Sequence, residues 1–218
     1  MVKKNPKIKT KSPPHSKAGK ESFASSSSLF SEWKRQFIHV ALGVFLIVVL
    51  LVSSLEFFRL FLLVGLAFGV ILATLSKHKY GELVRDILAH VQREKELFPG
   101  EGAFMYVLGI AIVAWIFTSG DVIIGAILAL AFQDSFSTLL GKQFGKTKLF
   151  NGKTLEGAAG GFIACAIVLG IFFPPPIALI VALVATVVEL LPFNDSLTIP
   201  LVSGLVLQGL LAGVFRPF

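Results

Sequence analysis

Apolar residues run through this chain in long unbroken stretches rather than in an alternating rhythm. Seven runs stand out: Phe37–Ser54, Phe57–Leu75, Ala103–Thr118, Val122–Leu140, Gly157–Phe173, Ile177–Leu191 and Leu197–Phe215. Each approaches the roughly 20 residues that a helix needs to cross a bilayer. The alternation of a β-barrel is absent, and continuous apolar segments in lipid satisfy their backbone only as helices. The breaks near Glu56, at Ser119–Asp121 and at Pro174–Pro176 are very short, so successive runs turn back on one another. The pattern predicts an all-α polytopic membrane protein with about seven transmembrane helices.

Two polar stretches flank or interrupt these runs. Residues 1–31 are rich in Lys, Pro and Ser, the composition of a disordered basic tail. They do not read as a signal peptide, because the first apolar run starts too late and no small-residue cleavage site follows. Residues 32–218 then form a single transmembrane domain. Within it, Leu83, Ile87, Leu88 and Val91 recur at helical spacing, with Arg85, Asp86, Arg93 and Glu94 elsewhere around the wheel. This suits a helix over 82–98 that lies in the membrane interface.

Composition agrees with the pattern: of 218 residues, 55% are hydrophobic and 15% charged. Charge adds an orientation. Of 20 Lys and Arg, nine fall in residues 1–35, five in 76–102 and four in 141–156, leaving only Arg59 and Arg216. With seven spans the three basic segments share one side, which the positive-inside rule makes cytoplasmic. The N-terminus is then inside and the C-terminus outside. A net charge of +7 concentrated beside the spans points to anionic lipid headgroups or a phosphorylated substrate, and away from nucleic acid. The lone Cys165, in an apolar run, excludes an intrachain disulfide and reads as packing.

Candidate chemistry gathers in "FQDSFSTLLGKQFGKTKLFNGKTLEG", residues 132–157. Asp134 sits in an apolar run, where an acid costs about 2.5–3.5 kcal/mol and marks a functional position. Gln133, Ser135, Ser137 and Thr138 around it predict a wet, polar helix end. A loop with Gly141, Lys142, Gly145, Lys146, Lys148, Lys153 and Thr154 follows; its glycines admit a phosphate close to the backbone and its lysines neutralise it. "GKQFGKT" is one residue short of a P-loop and no strand precedes it. The loop instead feeds a helix starting near Gly157, whose N-terminus is expected to present amides to an anion. Thr154 is the expected N-cap, and Glu156 suits the first turn. Arg35 and His39 lie four residues apart on one helix face. Together Asp134, Glu156, Glu189 and Asp195 supply oxygens of the kind Mg²⁺ prefers beside nucleotide phosphates.

These residues resemble the CTP-dependent lipid kinases (dolichol kinase, phytol kinase and CTP-dependent diacylglycerol kinase), a group distantly akin to phosphatidate cytidylyltransferase. The parts are ExxRxxxH at Glu32–His39, ExxR at Glu56–Arg59, Asp134 seven residues before Gly141, GKxxGK at Gly141–Lys146, KTLEG at Lys153–Gly157 and E…DSLTIP at Glu189–Pro200. The chain departs from the family at Gln36, Gln133, Asn194 and Ser196. The resemblance implies a CTP site built from Gly141, Lys142, Gly145, Lys146, Lys153, Thr154, Glu156 and Gly157. It implies catalytic roles for Asp134, Lys153, Arg35 and His39, and a divalent metal, Mg²⁺, on Asp134 and Asp195. The implied reaction moves the terminal phosphate of CTP to a lipid alcohol, a dolichol or other polyprenol first, with Asp134 either holding metal or accepting the hydroxyl proton. The alternatives are a cytidylyltransferase that makes a CDP-lipid and a small ion-coupled transporter using Asp134 and Glu189. The scarcity of polar residues in the outer halves of the runs disfavours transport.

Overall fold

The computed structural model describes residues 17–76 and 100–214, with side chains over 29–75 and 100–213. The interfacial helix expected over 82–98 lies outside the described residues. Among those described there are seven α-helices and no strand: α1 (Lys17–Val52), α2 (Leu55–Ser76), α3 (Glu101–Ile116), α4 (Gly120–Phe144), α5 (Leu155–Phe172), α6 (Pro175–Glu189) and α7 (Asp195–Val214). Each expected run falls largely on one of these helices. Five of the helices are long and apolar enough to cross a membrane, whereas α3 and α6 are shorter apolar helices. Length and composition thus point to a multi-pass membrane protein.

Two boundaries differ from expectation. α1 begins at Lys17, inside the segment read as tail, since extending a formed helix by a residue costs far less than nucleating one. α4 runs on to Phe144, so Gly141 and Lys142 belong to its last turn and the loop starts only at Gly145. Asp134 therefore sits well inside a helix.

α4 is the axis of the bundle. Its apolar window is 78% buried against 11% for the peripheral α2, because α4 is hydrophobic all round from Val122 to Ala131 and is packed by α1, α5 and α7. Small residues set its closest contact. A Cβ on Gly157 would lie 2.6 Å from the Ser137 carbonyl oxygen, and one on Gly161 2.6 Å from Gln133 Nε2. α5 can thus lie directly against the polar half of α4. Outward-facing Val48, Leu51, Leu63, Ile167 and Leu183 stay exposed, as a lipid-facing surface requires.

Candidate active site

The end of α4 that carries Asp134 meets the start of α1, the loop before α5 and the α6–α7 junction. Glu32 of α1 makes the first tie: its carboxylate accepts from Arg35, from Gln36 Nε2 at 2.9 Å and from Lys142 of α4. The basic start of α1 and the basic segment after α4 are therefore at the same end of the bundle.

A second, deeper network surrounds Glu189, which is fully buried at the end of α6. Its carboxylate accepts from Gln133 Nε2 at 2.9 Å, from the Ser137 hydroxyl and from Lys153 Nζ at 2.7 Å. Gln133 Oε1 in turn accepts from the Thr186 hydroxyl at 3.2 Å. Lys153 also pairs with Asp195 Oδ2 at 2.8 Å, so one ammonium joins the ends of α6 and α7. Burial works against the charge on Lys153, but the carboxylates of Glu189 and Asp195 outweigh it and hold the ammonium above its usual range.

The loop that delivers Lys153 is shaped by its own backbone. Leu149 N–H donates to Lys153 O at 2.8 Å, and Lys148 bridges to Thr154. Asn151 (φ 54°) and Gly152 (φ 75°) turn the chain in the left-handed region, which Asn and Gly tolerate. Asn151 Nδ2 anchors the turn on Leu190 O at 3.2 Å. Thr154 is the N-cap of α5, accepting from Gly157 N–H at 3.2 Å.

Two chambers open here, of about 310 Å³ and 250 Å³. The larger is lined by Asp134, Ser137, Thr138, Gly141, Lys142, Asn151, Gly152, Lys153, Thr154 and Asp195. The smaller is lined by Arg35, Gln36, His39, Gly102, Asp134, Phe193, Asn194, Asp195 and Ser196. Asp134 and Asp195 line both and form the common wall. Asp134 makes no hydrogen bond or ion pair with another described residue, and Asp195 Oδ1 is buried without a donor.

Of the residues expected in the site, Arg35, His39, Asp134, Gly141, Lys142, Lys153, Thr154 and Asp195 are brought together. Four line neither chamber. Glu156 accepts from the amides of Lys146 and Thr147 at 3.1 Å each, and Gly145 N–H donates to Gly141 O, so this loop satisfies itself. Gly157 is packed against α4. The expected open N-terminus of α5 is also closed: Leu155 N–H goes to Thr147 O and Ala158 N–H to Thr154 O, with Gly157 taken by the cap. The cause is the capping threonine and the loop folding back over it. Asn194 likewise caps α7, its Oδ1 accepting from Ser196 N–H at 3.1 Å.

Glu56–Arg59 lies elsewhere. Arg59 Nε donates to Ala114 O at 2.8 Å near the end of α3, twelve residues or about 18 Å along that helix from Gly102 at the smaller chamber. Residues that the sequence did not mark as site members are Gln36, Ser137, Thr138, Asn151 and Glu32. Polarity beside Asp134 signalled Ser137 and Thr138, the ExxRxxxH pattern contained Glu32 and Gln36, and Asn151 carried no signal of its own.

No family model matches the chain, and no solved structure matches it. An uncharacterized protein of Methanocaldococcus jannaschii is 30% identical over 182 residues, covering 80% of this chain and 91% of that protein. The chain belongs to that protein's family. A CTP-dependent diacylglycerol kinase 1 of Eremothecium gossypii is 28% identical over 153 residues, 66% of this chain but only 48% of the kinase. The chain thus spans about half the length of that more distant relative.

Proposed function

We propose that the protein is an integral-membrane kinase that uses CTP to phosphorylate the hydroxyl of a lipid alcohol, a polyprenol of the dolichol kind, at a site facing the cytoplasm. The observation that carries this reading is the Asp134–Asp195 pair in the wall common to two chambers, one lined by Lys142 and Lys153. A transferase must hold two substrates against one another, and phosphoryl transfer is largely positioning and charge neutralisation. The distant likeness to a CTP-dependent diacylglycerol kinase supports CTP as donor. The apolar helices support an acceptor that resides in the bilayer. The meeting of the basic segments of α1 and of 141–156 at this end supports the cytoplasmic side.

Lys142 and Lys153 would meet the triphosphate, with Ser137, Thr138 and Thr154 as hydroxyl donors. Both lysines are already matched by carboxylates, so a polyphosphate beside Asp134 and Asp195 calls for a further cation. No three His, Cys, Asp or Glu side chains come together as a cage among the described residues. Mg²⁺ does not need one, since it binds through one or two carboxylates together with phosphates and water. Asp195, whose buried Oδ1 has no donor among the described residues, fits that role, which leaves the Asp134 carboxylate free to take the hydroxyl proton. When bound, the cation would neutralise charge between carboxylates and phosphates.

In the transfer, the alcohol oxygen forms a bond to the terminal phosphorus and the bond to the bridging oxygen breaks. The electron pair leaves on the nucleoside diphosphate. The hydroxyl proton passes to the carboxylate of Asp134. Purified protein given labelled CTP or ATP with polyprenol, dolichol or diacylglycerol should yield the lipid phosphate and CDP. Release of pyrophosphate with a CDP-lipid would instead identify a cytidylyltransferase. Asp134→Asn should lower turnover by roughly 10²-fold or more, and full activity in that variant would remove Asp134 from the site.

A further inference from the structure

The two chambers differ in what they lack. Gln36 lines the smaller one and is 1% exposed, and its Oε1 has no hydrogen-bond donor. The orientation of this amide is determined by its neighbour. Nε2 lies 2.9 Å from Glu32 Oε1, a carboxylate oxygen that accepts Arg35 as well, so the amide nitrogen must face it. Oε1 is therefore an acceptor left over. An unmet buried acceptor is costly, and a ligand that supplies a donor removes that cost.

A phosphate chain at neutral pH offers acceptor oxygens only, so it cannot complete Gln36. An alcohol O–H can. The larger chamber carries the lysine and hydroxyl donors Lys142, Lys153, Ser137, Thr138 and Thr154, whereas the cation of the smaller one, Arg35, is already paired with Glu32. Apolar Phe193 and the membrane-spanning helix α1 border the smaller chamber and suit an acceptor whose chain stays in lipid.

We infer that the chamber lined by Gln36 is the acceptor-alcohol site, where Gln36 Oε1 receives the hydrogen of the lipid hydroxyl, and that the phosphates occupy the lysine-lined chamber across the Asp134–Asp195 wall. This rests on the kinase reading for the identity of the ligand. Gln36 acts before chemistry, docking the hydroxyl; once the nucleotide is in place the O–H turns to Asp134, which takes its proton.

The test reads binding without nucleotide. Wild-type protein and Gln36→Met in nanodiscs are titrated with a tritiated long-chain prenol and with a tritiated diacylglycerol, and separately with CTP and UTP. Loss of one neutral hydrogen bond should weaken alcohol binding by about fivefold to tenfold, with nucleotide binding unchanged. Lys142→Ala should do the reverse. Unchanged alcohol binding in Gln36→Met overturns the assignment. So does a selective loss of CTP over UTP, which would show Gln36 meeting the cytosine amino group. Should Gln36→Met not fold, a prenol with a diazirine beside its hydroxyl, photolysed on wild-type protein, should label the segments around Gln36 and 193–196. Labelling confined to 138–154 refutes the inference. A wild-type protein that binds alcohol in this way yet transfers no phosphate would sink the kinase reading alone.

Discussion

Lys153→Met removes a cation that pairs with both Glu189 and Asp195. Glu189, with no exposed surface, keeps Gln133 and Ser137 as its donors among the described residues, and neither carries a charge to match its own. Breaking a buried ion pair from one side costs about 3–5 kcal/mol. Lys153 is 24% exposed at its side chain, so the lower end, about 3 kcal/mol, applies. For a chain of this size that corresponds to a fall of roughly 6–12 °C in thermal midpoint. The assay is thermal aggregation in detergent followed by size-exclusion fluorescence. In Lys153→Met/Glu189→Met, the loss should be smaller than the sum of the two single losses, because the fully buried charge of Glu189 goes with its partner and only the partly exposed Asp195 is left without Lys153. The ammonium of Lys153 is held above its usual range, so its contribution is complete below the unfolded value of about 10.4 and declines only as pH rises through the folded one. The deficit of Lys153→Met should hence stay constant from about pH 7 to pH 9. A variant that melts within a degree or so of wild type, or additive losses in the double variant, would refute the network as described.

Asp134→Asn should contrast with this by costing no thermal stability, because Asp134 has no described partner to lose and an acid leaves an apolar helix; a marked drop in midpoint would reveal a structural role. Gly161→Ala forces a Cβ to 2.6 Å from Gln133 Nε2 and 2.9 Å from Ser137 Cβ, and should destabilise by roughly 1–3 kcal/mol in the same melting assay. Glu156→Ala frees the amides of Lys146 and Thr147 and should raise the KM for nucleotide severalfold through a looser loop, with lipid binding unchanged in the nanodisc titration.

Part of the candidate site was legible in one dimension because its signals are local. An acid at Asp134 is expensive in an apolar run wherever the helices pack, and Thr154 before Leu155 is a cap by its position alone. Other residues were visible but misread. Lys146 and Glu156 were expected in the nucleotide site, yet Glu156 accepts from the amides of Lys146 and Thr147 across a loop that folds back. Gly141 and Lys142 were expected in a loop, but no proline or strong breaker stops α4 before Gly145. Arg59 belongs to the same family pattern as Arg35, but only its bond to Ala114 O places it away from the chambers.

The sequence by itself determined the helical, membrane-spanning character, since long apolar runs leave the backbone no other way to satisfy its hydrogen bonds in lipid. It also determined which polar residues had to be explained. Tertiary structure alone decided their partners. Glu189 meets Gln133, Ser137 and Lys153 across 56, 52 and 36 positions, and Glu32 meets Lys142 across 110. Such pairings depend on which helix faces which, a matter of side-chain volume and close approach that no periodicity along the chain records. The division of one polar cleft into two chambers by Asp134 and Asp195 arises in the same way, from α4 and α7 being brought side by side.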